Sequence, residues 1–110
     1  MQEMVFLVQG SAPEPYKVQF RIDGANLSAW CTCPAGEIGQ YCKHRLRILD
    51  GDITGIVSDN TAKVPAVVGW VAGSDVEKAM NELKLAETQL DAAKSHVSAC
   101  KKRLARALMS

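Results

Sequence analysis

At 110 residues, with 47% apolar side chains and 13 basic against 12 acidic residues, the chain has room for one small domain and an accessory element but not for two large cores. Its net charge of +1 excludes a global field that would draw it to nucleic acid or to a membrane, so any such affinity must come from local patches. No apolar run approaches the roughly 18 residues of a membrane span, and residues 1–8 lack a basic region and a cleavage site, so a cytoplasmic protein with no membrane partner is expected.

In chain order, residues 4–8 are a short apolar run compatible with a strand, ended by Gly10, Pro13 and Pro15. Tyr16, Val18, Phe20 and Ile22 then alternate with Lys17, Gln19 and Arg21, the period of a strand with one buried face. Asp23-Gly24 predicts a tight hairpin turn, with residues 25–33 returning as the second strand. Pro34, Gly36 and Gly39 predict an irregular stretch, and a short helix follows within 41–49. Residues 51–73 read as a connector broken by glycines, with room for a one- or two-turn helix around Trp70 that has Pro65 at its first position and Gly73 just past its end. Ser74-Asp75-Val76-Glu77 has the capping-box pattern, and neither glycine nor proline occurs from there to Ser110, which predicts one unbroken helix to about Leu108.

The chemistry is concentrated in Cys31-Thr32-Cys33 and, after eight residues, Cys42-Lys43-His44. Zn²⁺ takes four tetrahedral soft or borderline ligands, and a pair at a strand end can face a pair at a helix start across a glycine-containing loop. Four protein ligands leave no open position for water, so one structural Zn²⁺ is expected rather than a catalytic one, and no enzyme activity or small-molecule substrate. Three other readings of these residues explain less. Ordinary apolar cysteines beside a surface histidine would leave the spacing to chance. Thiol redox chemistry at Cys31 and Cys33 gives Cys42 and His44 no role, and a Cys42–His44 dyad leaves the first pair idle.

Cys31-x-Cys33-Pro34 followed by Cys42-Lys43-His44 resembles the SWIM-type zinc finger, whose pattern is Cys-x-Cys, a variable gap and Cys-x-His on a hairpin followed by a helix. The resemblance covers about a third of the chain and carries all four ligands with it. It implies zinc and an interaction role, since such domains occur in helicase-like ATPases, transposase-related proteins and ubiquitin-pathway proteins, where DNA or protein binding is usually proposed. The expected fold class is therefore α+β: a zinc-stapled hairpin head with a short helix over 1–50, a connector over 51–73, and a long coiled-coil helix over 74–110. A head of about 50 residues is small enough to need such a staple.

In the last segment Val76, Leu83, Leu90, Val97 and Leu104 recur every seven residues, and Ala79, Ala86, Ala93, Cys100 and Ala107 recur three positions later. These are the a and d sites of five heptads, on a helix of about 52 Å at 1.5 Å per residue. Self-association would cover the stripe; packing on the apolar connector is the alternative. A parallel pair would stack Leu90 on Leu90 and Ala93 on Ala93. An antiparallel pair instead sets each large residue against a small one, with Asp75 facing Arg103 and Glu87 facing Lys101. An antiparallel homodimer that binds a protein partner is therefore favoured. The alternative is a nucleic-acid binder, with Lys43, Arg45 and Arg47 beside the metal ligands and Lys101, Lys102, Arg103 and Arg106 near the C-terminus as candidate contacts. The equal count of five basic and five acidic residues over 1–50 argues against it.

Overall fold

The computed structural model describes residues 1–109 and divides into two units, Met1–Glu77 and Lys78–Ser110. The first begins with three antiparallel strands in sequence order, β1 (Gln2–Val8), β2 (Tyr16–Asp23) and β3 (Asn26–Cys31). Pairing of Phe6 with Val18 and of Val18 with Cys31 lines up the inward positions, and the next row joins Met4, Phe20 and Ala29. Phe6 and Phe20 are fully buried and meet edge to face with centroids 6.1 Å apart. The expected hairpin is thus two strands of a three-stranded sheet, with β2 at its centre and β3 at one edge. Its turn lies one residue later than expected: Asp23 still pairs with Asn26, and the loop is Gly24-Ala25. Of these two residues Gly24 alone has positive φ, at 60°, which suits a two-residue loop with glycine at its first central position.

Both edges of this sheet are occupied by the rest of the unit. Along β1, Gln9 N–H donates to Gly55 O, Val57 N–H donates to Leu7 O, and Leu7 N–H donates to Ser58 Oγ. Asn60 Nδ2 adds a bond to Val5 O at 2.7 Å. Along β3, Leu27 N–H donates to Asp75 Oδ1 at 2.9 Å, and Arg45 Nη1 donates to Ala29 O at 3.1 Å. Exposed strand edges recruit other chains, and here backbone and side-chain groups from distant positions satisfy part of both edges.

Three short helices complete the unit. Residues 34–37, expected to be irregular, form α1 (Pro34–Glu37), because Pro34 occupies the first turn, where a missing N–H costs nothing. The helix after the metal ligands is α2 (Lys43–Leu49), with Ile48 and Leu49 buried. A 3₁₀ turn, Thr61–Lys63, leads into α3 (Val64–Val71), which contains Trp70 and buries Val64 and Val67; α2 packs on it.

The long helix, α4 (Glu77–Met109), runs unbroken for 33 residues but starts three residues later than the sequence pattern suggests. Ser74 Oγ donates to Val71 O and accepts from Val76 N–H, while the Glu77 carboxylate accepts from Gly73 N–H at 2.6 Å rather than from Ser74 N–H. The expected capping box is therefore displaced by one residue, and Val76, the first heptad position, sits in the turn before the helix. From residue 81 to residue 109 every side chain of α4 is exposed, including Leu83, Leu90, Val97 and Leu104. No helix among the described residues is long and apolar enough to cross a membrane.

Candidate metal centre

The end of β3 carries Cys31, and the chain passes through Thr32 to Cys33 at the start of α1; Cys42 and His44 sit at the start of α2. These elements bring one donor atom from each of the four residues within 4.8 Å of one another. The sulfurs of Cys33 and Cys42 are 3.3 Å apart, and Nδ1 of His44 lies 3.6 Å from Cys42 Sγ and 3.8 Å from Cys31 Sγ. Donors about 2.0–2.3 Å from a tetrahedral zinc stand about 3.4–3.8 Å from one another, so the site fits that ion nearly as it stands. All three cysteines are buried, and His44 is half-buried with its ring 5.2 Å from that of Tyr16.

Backbone donors tune the sulfurs. Gly36 N–H donates to Cys33 Sγ at 3.3 Å, and Cys33 N–H to Cys31 Sγ at 3.5 Å, interactions that favour thiolate. Without metal, burial pushes the Cys31 thiol up to about 12, and the neighbouring Cys33 and Cys42 add to that rise. Burial also acts to raise Cys42, but the nearby backbone N–H groups of Arg45 and His44 and the Cys33 and Cys31 side chains bring it below its ordinary value. Burial, with Lys43 and Arg47 adding positive charge, lowers His44 and keeps its imidazole neutral and ready to ligate. Zinc would supply cross-linking here, worth an apparent ~10–16 kcal/mol in small fingers at neutral pH.

The other nominated residues are dispersed. Arg45 is used internally: its guanidinium joins Ala29 O to Gln40 O, at 3.1 and 2.6 Å. Lys43 and Arg47 are exposed on α2, and Lys101, Lys102, Arg103 and Arg106 are exposed on α4, where Arg103 donates to Cys100 Sγ at 3.3 Å. The heptad residues Ala79, Ala86, Ala93 and Ala107 are exposed as well. Cys100 is not one of the clustered residues; it is exposed, with His96 Nε2 3.7 Å from its sulfur. Sequence reasoning missed Tyr16 as the neighbour of His44, although its alternation with Val18 and Phe20 placed it on the inner face.

Neither a curated protein nor a solved structure matches the chain. The family model described as SWIM zinc finger matches residues 6–50, the stretch that runs from β1 through all four ligands to the end of α2. The chain carries a SWIM zinc finger with a Cys₃His site for one structural zinc ion.

Proposed function

We propose that the chain is a non-catalytic protein-interaction module, in which the zinc finger presents a binding surface and α4 joins two copies in antiparallel orientation. The observation that carries the assembly is the five-heptad stripe on a helix whose side chains are all exposed from residue 81 onward. Charge supports the orientation. Residues 75–91 hold five acidic and two basic side chains, whereas residues 92–109 hold five basic and no acidic ones. Antiparallel pairing sets the acidic half of each helix against the basic half of the other, in the register that also sets large residues against small ones. A parallel pair would superpose like charges.

A protein partner is favoured by the outer face of the sheet, where Val5, Leu7 and Trp30 are exposed. Arg21 lies 5.2 Å over the Trp30 ring and pairs with Glu3 at 2.8 Å, a half-apolar, aromatic surface of the kind that anchors protein interfaces. The ligand count supports the non-catalytic reading, because four protein donors would fill a tetrahedral zinc and leave it no open position. Such thiolates suit a reducing compartment such as the cytoplasm.

A second reading, nucleic-acid binding, is motivated by the basic half of α4. Against it, Met1–Glu77 holds nine acidic and six basic residues, and three thiolates with Zn²⁺ add one more negative charge. Titration with duplex DNA at two salt concentrations separates the two. Binding that falls steeply with salt would establish the second reading, whereas dimers in light scattering with no DNA affinity are expected from the first.

A further inference from the structure

A histidine that holds zinc through one ring nitrogen keeps the other protonated, and that N–H is almost always given to an acceptor. In His44, Nδ1 faces the sulfurs of Cys31 and Cys42, and Nε2 lies on the far side of the ring, 3.5 Å from where a Cβ on Gly10 would sit. No described residue accepts a hydrogen bond from Nε2, and the atom is not sealed away from solvent. His44 lines a cleft of about 420 Å³ together with Ser11, Tyr16, Pro34, Tyr41 and Lys43. Cys33 and Cys42 also line it, but their sulfurs belong to the metal cluster; its remaining side-chain polar groups can all donate, Lys43 brings positive charge, and no carboxylate lines it. The rings of Tyr16, Tyr41 and Pro34 supply apolar wall. The volume is within the range of sites that hold a small ligand or one or two side chains.

We propose that this cleft binds the carboxylate of an acidic side chain on an extended segment of a protein partner, with His44 Nε2–H and Lys43 as its donors. The inference rests on the protein-binding reading and names the chemistry that the finger would recognise. Charge selects a single carboxylate over a nucleic-acid strand, because the unit around the cleft is net acidic and would repel a polyanion, whereas one carboxylate needs only the local donors. Tyrosine and proline walls suit the apolar neighbours of an acidic residue in a peptide.

The test uses the full chain, zinc-loaded and ¹⁵N-labelled, titrated separately with acetyl-Ala-Glu-Ala-amide, its glutamine counterpart, inorganic phosphate and a short DNA duplex. The glutamate peptide is expected to shift Ser11, Tyr41, Lys43 and the His44 Nε2–H signal saturably. The glutamine peptide should bind about tenfold more weakly, as a lost charge-assisted hydrogen bond implies. Lys43→Gln, an exposed change, should weaken the glutamate peptide to a similar extent. His44→Cys keeps four zinc-competent ligands while removing Nε2, and should also abolish the response; if it loses zinc, Lys43→Gln decides. Equal response to glutamate and glutamine, no response at the cleft, or a response stronger to phosphate or DNA than to the glutamate peptide would overturn the proposal. Peptide shifts confined to Val5, Leu7 and Trp30 would overturn the cleft and leave the protein-binding reading standing. DNA binding with no peptide response at either surface would remove both.

Discussion

Gly36 passes so close to Cys31 that a Cβ on it would lie 2.5 Å from the Cys31 carbonyl oxygen and 2.8 Å from its Cβ. Both obstacles belong to the backbone region of a metal ligand and cannot swing aside, and Gly36 also donates its N–H to Cys33 Sγ. Gly36→Ala should therefore displace Cys31 from Cys33, lowering stability by about 1–3 kcal/mol and zinc affinity at least tenfold. Gly39 provides the control. Its φ is +74° with nothing near its missing Cβ, so alanine there should cost only about 1–2 kcal/mol of backbone strain and leave the zinc geometry intact. Competition against a chromophoric chelator measures both. Equal loss of zinc in the two variants would show that the close approach is not what matters.

Proton release should accompany metal loading. In the metal-free protein burial holds the Cys31 thiol at about 12, so at pH 7 it is neutral and must give up its proton to bind. His44, already lowered by burial, releases few protons there. The sign follows: zinc affinity should fall as pH falls, because ligand protonation competes with the metal. Calorimetric titrations in buffers of different ionisation enthalpy should give at least one proton released per zinc at pH 7; a value near zero would mean that Cys31 does not ligate. Elemental analysis should give about one zinc per chain. Cys33→Ser or His44→Ala should unfold the head while leaving much of α4 helical, as circular dichroism would report.

Asp75 holds the hairpin from 48 residues away. Its carboxylate accepts from Leu27 N–H, and its own N–H donates to Ala25 O, both at 2.9 Å. Asp75→Ala leaves the N–H of buried Leu27 without its partner and should destabilise the first unit by about 1–3 kcal/mol, whereas Asp75→Asn, which keeps an acceptor, should cost less. Urea denaturation of the zinc-loaded protein checks the order. Equal costs would assign the effect to charge.

These pairings mark where the sequence stops being legible. The metal ligands could be read because their spacing is local chemistry, and β2 because Val18 and Phe20 alternate with polar neighbours over one strand. The bonds that guard the sheet edges could not. Ser58, Asn60, Asp75 and Arg45 are ordinary polar residues whose partners lie elsewhere in the chain, and no periodicity announces them. The shifted turn at Gly24-Ala25 and the shifted cap at Glu77 have a common cause. Each motif could be satisfied in two adjacent registers, and the bonds of Asp75 to Ala25 and Leu27 tie the two segments together in one. Pro34 misled in a different way, since proline both breaks an extended chain and starts a helix.

Cys100 reports on assembly. The sequence suggests a buried apolar thiol; in the single chain it is exposed, between His96 and Arg103. In the antiparallel register it would face Leu83 of a second copy, so it should react readily with a thiol reagent at nanomolar protein and more slowly at tens of micromolar. Mild oxidation should not link two Cys100 residues, as it would in a parallel pair, where they face each other. Cys100→Ala should retain zinc; loss of metal in that variant would show a mis-assigned ligand.

The central layer of the proposed pair decides the model. Leu90 would face Ala93 of the second copy and Ala93 would face Leu90, so a charge introduced at Leu90 appears twice at the middle of the interface. Burying an unpaired carboxylate costs several kcal/mol, enough to dissociate a pair whose exposed ion pairs contribute only about 0–1 kcal/mol each. Leu90→Asp should therefore make the full chain monomeric at tens of micromolar without removing zinc, whereas Leu85→Asp, outside the heptad a and d positions, should leave it dimeric. Light scattering and elemental analysis read both quantities from one sample. Orientation is measured separately, with spin labels on Lys78→Cys in a Cys100→Ala background. Antiparallel pairing sets residue 78 opposite residue 105 and separates the two labelled positions by about 40 Å at 1.5 Å per residue. A short distance would mean parallel helices, and a wild-type monomer at the same concentration would remove self-association as the role of the stripe.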